Sequence, residues 1–97
     1  MANYIALIDF TEQGIRAIKD SPGRLAEFRL KAESLGATVK AAYWTSGVHD
    51  GVLIVDAPDE KIASALFLSL AQAGNVRTLT LRAYDEAEMQ EILTKSE

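Results

Sequence analysis

Short apolar runs alternate with amphipathic stretches along the chain, and Gly, Pro, Asn and Asp residues separate them. Four of the runs are seven to nine residues long and rich in branched or aromatic side chains, which is typical of β-strands. Between them, apolar residues recur every three or four positions, which predicts helices. The predicted strands are Tyr4 to Phe10, Thr38 to Thr45, Val48 to Asp56 and Val76 to Ala83.

Helix start and stop signals agree with this pattern. At Ser21 the hydroxyl is expected to cap a helix, with Pro22 in the first helical position. Asp85 and Glu88, three residues apart, are typical of a capping box for a C-terminal helix. The predicted capping residues are Thr11, Ser21, Asp59 and Asp85, and the predicted helix-ending glycines are Gly36 and Gly74.

The order strand, helix, strand, strand, helix, strand predicts an α+β fold of the ferredoxin-like type, βαββαβ. In such a two-layer sandwich a four-stranded antiparallel sheet carries both helices on one face. Ser46-Gly47 between the second and third strands predicts a hairpin, so these strands are expected to be antiparallel neighbours. The C-terminal helix is additional to this pattern. The length favours one domain over residues 1–97.

Both faces of the predicted sheet are apolar. In the first strand Ile5 and Leu7 alternate with Ala6 and Ile8, and the third strand repeats the pattern. Two helices cover one face only, and a bare second face would expose an apolar patch on the order of several hundred Å², which soluble monomers rarely do. We therefore expect a homo-oligomer that associates through the sheet face, as in a dimeric α/β barrel. A lysine at Ile8 is expected to dissociate it, and the C-terminal helix is the intrachain alternative for covering this surface.

The composition of the chain excludes or disfavours several classes of function. The 97 residues are 48% hydrophobic and 25% charged, which is typical of a folded globular chain. The lack of cysteine excludes disulfides, thiolate nucleophiles and cysteine-based metal sites. A formal net charge of −4, with scattered Lys and Arg, disfavours nucleic-acid binding. The N-terminal segment has neither the basic region of a signal peptide nor the apolar length of a membrane span, so we expect a cytoplasmic protein without membrane association.

The segment Tyr43 to Gly51 holds the densest group of chemistry-bearing residues, including the single tryptophan, Trp44, and the single histidine, His49. A neutral imidazole suits general acid/base chemistry and a carboxylate can orient it, so His49 and Asp50 are the candidate catalytic residues. Their pairing needs a bend in the backbone, because neighbours in a strand point to opposite faces. The alternative is a histidine at a strand start, with Asp50 accepting from turn amides. Tyr43 and Trp44 are candidate ligand-binding residues, with core or interface packing as the alternative for Trp44.

A second group, Gly74 to Thr78, leads into the last predicted strand. Arg77 can hold a carboxylate or enolate in bidentate fashion, and Thr78 follows it, so both are candidate ligand-binding residues together with His49. A salt bridge at the sheet edge is the alternative for Arg77. With one histidine and no cysteine, no residues show a recognised metal-ligand spacing, and we expect neither a metal nor a cofactor.

Several segments together are specific enough to suggest a family. They are Tyr4-Ile5, Gln13-Gly14-Ile15-Arg16, Ile18-Lys19-Asp20-Ser21-Pro22, Tyr43-Trp44-Thr45, Gly47-Val48-His49-Asp50, Ala57-Pro58-Asp59 and Gly74-Asn75-Val76-Arg77-Thr78. The chain resembles the GYD domain family, small bacterial and archaeal proteins of poorly defined function in the dimeric α/β-barrel group. The namesake motif resembles Gly-x-Tyr-Asp, so Gly47 and Asp50 match it while His49 replaces the tyrosine. Since the two side chains have very different pKa values, a binding role transfers more readily than proton transfer.

These observations leave three functions open. The first is a domain that binds a small organic ligand in a pocket between sheet and helices, lined by Trp44, His49, Asp50 and Arg77. The second is a non-catalytic assembly or regulatory module whose purpose is the oligomer itself. The third is a cofactor-independent isomerase or monooxygenase with His49 as acid/base, by analogy with other proteins of this architecture. Whether the chain is an enzyme is not decided by its sequence.

Overall fold

A central strand with an antiparallel neighbour on each side organises the chain. The computed structural model describes residues 1–96, and Glu97 lies outside the described residues. The strands are β1 (Ala2–Phe10), β2 (Thr38–Trp44), β3 (Gly51–Ala57) and β4 (Val76–Ala83), and the helices are α1 (Glu12–Arg16), α2 (Ser21–Ser34), α3 (Glu60–Gln72) and α4 (Glu86–Lys95). The sheet order is β2-β3-β1-β4, and all three strand pairs are antiparallel. This is the predicted ferredoxin-like α+β fold.

One face of the sheet, the inner face, packs against α2 and α3. Tyr4, Ala6 and Ile8 of β1 point to it and are all at least nine-tenths buried. Phe28 of α2 and Phe67 of α3 close the core from the helical side, with ring centroids 6.1 Å apart. Ile8 therefore belongs to the core of a single chain, contrary to the expectation that a lysine there would act on an oligomer. Such a lysine would instead disrupt this core.

The opposite face of the sheet, the outer face, keeps its apolar residues at the surface. Residues paired directly across antiparallel strands share a face, so the register assigns the side chains. The apolar outer-face residues are Ile5, Leu7, Val52, Ile54, Leu79 and Leu81. Leu79 is 55% exposed and Leu81 is 46% exposed. The prediction that both sheet faces are apolar is thus confirmed, and helices α2 and α3 cover only one of them.

Helix α4 extends away from the two-layer body. The predicted capping box between Asp85 and Glu88 fixes its start, and Arg82 lies 3.4 Å from Glu88 and 4.5 Å from the centroid of the Tyr84 ring. None of residues 86–95 is buried. The radius of gyration of 14.5 Å exceeds the roughly 12–13 Å expected for a compact chain of this length. No helix within residues 1–96 is long and apolar enough to cross a bilayer.

Two local features differ from the sequence prediction. Thr11 and Asp59 cap their helices as expected, but Ser21 is already helical and its hydroxyl does not cap α2. A 3₁₀ turn at Ile18–Asp20 leads directly into α2 instead. The hairpin between β2 and β3 has a six-residue loop, 45–50, rather than a two-residue turn, so β3 begins at Gly51.

Candidate functional site

A cavity of about 340 Å³ lies between the inner face of the sheet and helices α2 and α3. Its walls are mostly apolar, and charged or polar side chains stand at its border. Among the lining residues are Ile8, Phe10, Leu25, Phe28, Leu53, Leu70 and Val76, with Arg24, Glu27, Lys31, Tyr43, Trp44 and Asp50. Three of the candidate residues predicted from sequence, Tyr43, Trp44 and Asp50, therefore border this cavity.

Trp44 is the last residue of β2 and connects the sheet to α2. Its indole N–H donates a hydrogen bond to the buried Ser21 hydroxyl at 2.9 Å. The ring itself is half exposed and lines the cavity. Tyr43 also borders the cavity, but the strand register places its side chain on the outer face, opposite Val52, where it is more exposed than Trp44. Trp44 therefore combines a packing contact with an accessible aromatic surface.

Asp50 holds the β2–β3 loop against the end of β1. Its carboxylate accepts a hydrogen bond from the Phe10 amide at 2.9 Å, and its own amide donates to the Ile8 carbonyl at 2.8 Å. The Thr45 amide donates to the Asp50 carbonyl at 2.9 Å, which closes the loop. These contacts extend the pairing of β1 beyond the end of β3. The Asp50 carboxylate thus satisfies a backbone amide, but that amide belongs to the end of β1 rather than to the turn.

His49 has a carboxylate partner, but that partner is Asp9 of β1 rather than the adjacent Asp50. The Nδ1 atom lies 3.2 Å from both carboxylate oxygens of Asp9, and each side chain is 33% exposed. When Nδ1 carries the proton, it donates to Asp9 and leaves Nε2 free to accept a proton or a hydrogen bond. The geometry is thus suited to an oriented imidazole, at the outer-face end of β1.

Arg77 and Thr78 lie apart from the cavity. Arg77 is exposed on the outer face, directly across from Asp9 in the register of β1 and β4. Thr78 points to the inner face and lines a separate shallow groove between α3 and β4, together with Thr80. The candidate residues are therefore divided among the cavity, the outer-face end of β1 and the groove.

Besides Asp50, three charged residues that were not candidates from the sequence line the cavity. Arg24, Glu27 and Lys31 project from one side of α2, at the spacing of three and four that also places Phe28 in the core. The Nη1 atom of Arg24 donates to the Ala17 carbonyl at 2.9 Å. Its Nη2 atom is buried and has no hydrogen-bond partner among residues 1–96. The helical spacing was the available signal, since these residues border the predicted apolar stripe.

The arrangement suits binding chemistry more directly than a defined reaction. The cavity offers an apolar interior with a half-exposed indole, while the one oriented imidazole lies elsewhere. Within the described part of the chain, no group of three or more His, Cys, Asp or Glu side chains could hold a metal ion.

Comparison with known proteins gives the same family as the motifs. The GYD domain family matches residues 4–93. A protein of Thermus thermophilus, named glutamine synthetase and cystathionine beta-lyase binding protein, is 32% identical over 90 residues. The alignment covers 92% of this chain and 95% of that protein. The chain therefore belongs to the GYD domain family.

Proposed function

We propose that this chain is a non-catalytic regulatory binding module, a single domain that acts by associating with metabolic enzymes. The observation that carries the proposal is its 32% identity, over 92% of its length, with a protein named for binding glutamine synthetase and cystathionine beta-lyase. The uncovered outer face and the unburied helix α4 are apolar surfaces of the kind that associate with another protein chain. A cytoplasmic location is part of the proposal.

The proposed module is a homo-oligomer in which a second copy covers the outer face. Ile5 and Leu7 in the centre of that face are flanked by the exposed Leu79 and Leu81 of the edge strand. Burial of apolar area at about 25 cal/mol per Å² favours covering this surface. His49, Asp9 and Arg77 would then border the interface as a polar rim, which is the usual anatomy of protein interfaces.

The direct test is binding to the two enzyme classes. The purified chain is immobilised and exposed to glutamine synthetase and to cystathionine beta-lyase from the organism that encodes it, in biolayer interferometry. We expect saturable binding of at least one enzyme with a Kd of roughly 10 µM or below, and no response to serum albumin. Failure of both enzymes to bind at roughly 100 µM would remove this function.

A second function is favoured by the cavity itself, namely binding of a small organic ligand between the sheet and helices. Its volume of about 340 Å³ falls in the range of ligand pockets, roughly 300–1,000 Å³. Trp44 supplies an aromatic surface with a polar edge, as such pockets commonly do. A regulatory module with a ligand cavity could report a metabolite to its protein partner, so the two functions are compatible.

The third function, a cofactor-independent isomerase or monooxygenase with His49 as acid/base, would place its substrate beside Asp9 rather than in the cavity. His49→Ala would abolish turnover if this function holds. Its effect on stability is expected to be small in any case, below about 1 kcal/mol, because polar contacts between partly exposed side chains contribute little. Urea unfolding checks this prediction.

Asp9→Asn is the matched control for His49→Ala, since it removes the negative charge beside the imidazole but keeps an acceptor oxygen, and it should give a similarly small change. A loss above roughly 2 kcal/mol for His49→Ala would show instead that the imidazole is a structural element of the loop.

A further inference from the structure

We propose that the cavity between the sheet and helix α2 takes a small apolar carboxylic acid, whose carboxylate is bound by Arg24 and Lys31. This inference deepens the ligand-binding function proposed above and rests on it. It names the chemical class of the ligand and transfers the anion-binding role from Arg77, which lies on the outer face, to residues of α2.

The interior of the cavity fits the apolar part of such a ligand. Phe10, Leu25, Leu70 and Val76 form walls on the sheet and on both long helices. These side chains offer no hydrogen bonds, so a polar molecule would lose its hydration there without replacement. An alkyl or aryl body gains free energy from the same burial.

The Nη2 donor of Arg24, which has no acceptor within residues 1–96, is the main reason to expect a negatively charged ligand group. One guanidinium nitrogen is used by the Ala17 carbonyl, whereas Nη2 is buried with no acceptor in the described chain. Leaving a charged donor out of water without an acceptor is unfavourable. Because Nη2 has almost no accessible surface, a ligand carboxylate supplies that acceptor once the guanidinium rotates toward the cavity that Arg24 lines, and the planar guanidinium is the side chain best matched to a carboxylate. Lys31, two turns further along α2, adds a second positive charge at the border.

Two carboxylates also line the cavity, and neither reverses this preference. Asp50 already accepts a hydrogen bond from the Phe10 amide, so part of its charge is satisfied by the backbone. Glu27 is exposed, so water and salt screen its charge. Arg24 is partly buried and is screened less. A negative ligand group is therefore favoured over a positive one.

Three probes of equal length separate charge from shape: octanoate, octanamide and octylammonium. Trp44 is the only tryptophan and lines the cavity, so its fluorescence reports occupancy directly, with calorimetry as the second measurement. We expect octanoate to bind at least about tenfold more tightly than octanamide, and octylammonium to bind more weakly than both. Arg24→Gln should remove the preference for octanoate while octanamide binding persists.

Arg16→Gln is the matched control, since Arg16 is an exposed arginine that does not line the cavity among the described residues. It should leave all three affinities unchanged. Lys31→Gln should weaken the binding of octanoate severalfold. Because Lys31 is exposed, this variant should fold normally, and it tests the charge preference even if Arg24→Gln fails to fold. Equal binding of octanoate and octanamide, or tighter octylammonium binding, would overturn the ligand class while leaving a ligand cavity in place. If none of the three probes binds, both the ligand class and the ligand cavity are overturned. That result has no bearing on the proposed association with enzymes.

Discussion

Alanine in place of Gly14 is expected to lower the free energy of unfolding by about 2–3 kcal/mol and the melting temperature by roughly 10–20 °C. Gly14 is buried in α1, and a Cβ atom there would lie 1.9 Å from the Asn75 carbonyl oxygen. That oxygen also accepts a hydrogen bond from the Thr11 amide at 3.1 Å. The added methyl group must therefore displace the backbone of the α3–β4 loop from α1. Calorimetry and urea unfolding measure the change.

Gly23→Ala is the matched control. Gly23 lies in the first turn of α2, and a Cβ atom there would meet nothing within 4 Å. Alanine should leave stability unchanged or raise it by up to about 1 kcal/mol, because glycine is the poorer helix former. If Gly14→Ala changed stability no more than Gly23→Ala, the close approach of α1 to the α3–β4 loop would be disproved.

The elements of the fold were predictable because their signals are local. The bounds of β4 agree at both ends with its apolar run, and the caps at Thr11, Asp59 and Asp85 are set by side chains within three residues of the bonds they accept. The β2–β3 loop was assigned partly to a strand because Val48 is apolar, yet Val48 is 92% exposed. Hydrogen bonds to β1 hold this loop in place. A hydrophobic pattern along neighbouring residues cannot predict bonds between residues so far apart in the sequence.

The candidate site was predictable only in part, for the same reason. Trp44 and Asp50, both candidates from the sequence, line the cavity, but the carboxylate partner of His49 lies 40 residues away in β1. Alternation along β1 showed that both faces are apolar without showing which one meets the helices, and so Ile8 was placed wrongly. Packing against Phe28 and Phe67 decides that question, and it depends on the whole chain.

The outer face and α4 are both exposed apolar surfaces. A four-stranded face seven residues long spans roughly 400–500 Å², which is less than the roughly 800 Å² per partner of a standard interface. The apolar side chains of α4, among them Met89, Ile92 and Leu93, are exposed and add to this area. A second copy that covers both surfaces would supply the burial that neither surface provides alone, and α4 would gain the packing it lacks in one chain.

Leu79→Glu is therefore expected to convert an oligomer into a monomer. Leu79 is 55% exposed in the single chain, so the substitution should leave the fold of the monomer intact. In an interface between outer faces the carboxylate would be buried without a partner, which costs several kcal/mol and weakens association by at least about 100-fold. Native mass spectrometry and sedimentation velocity measure the subunit number.

Leu30→Glu is the matched control, because Leu30 is 67% exposed on α2, away from the outer face. It should keep the subunit number of the unchanged chain. A monomeric unchanged chain would refute the proposed oligomer, since its apolar outer face would then be stable in water. An oligomer that survives Leu79→Glu would place the interface elsewhere, with α4 as the next surface to alter, because its apolar side chains would then be the largest exposed set outside the sheet.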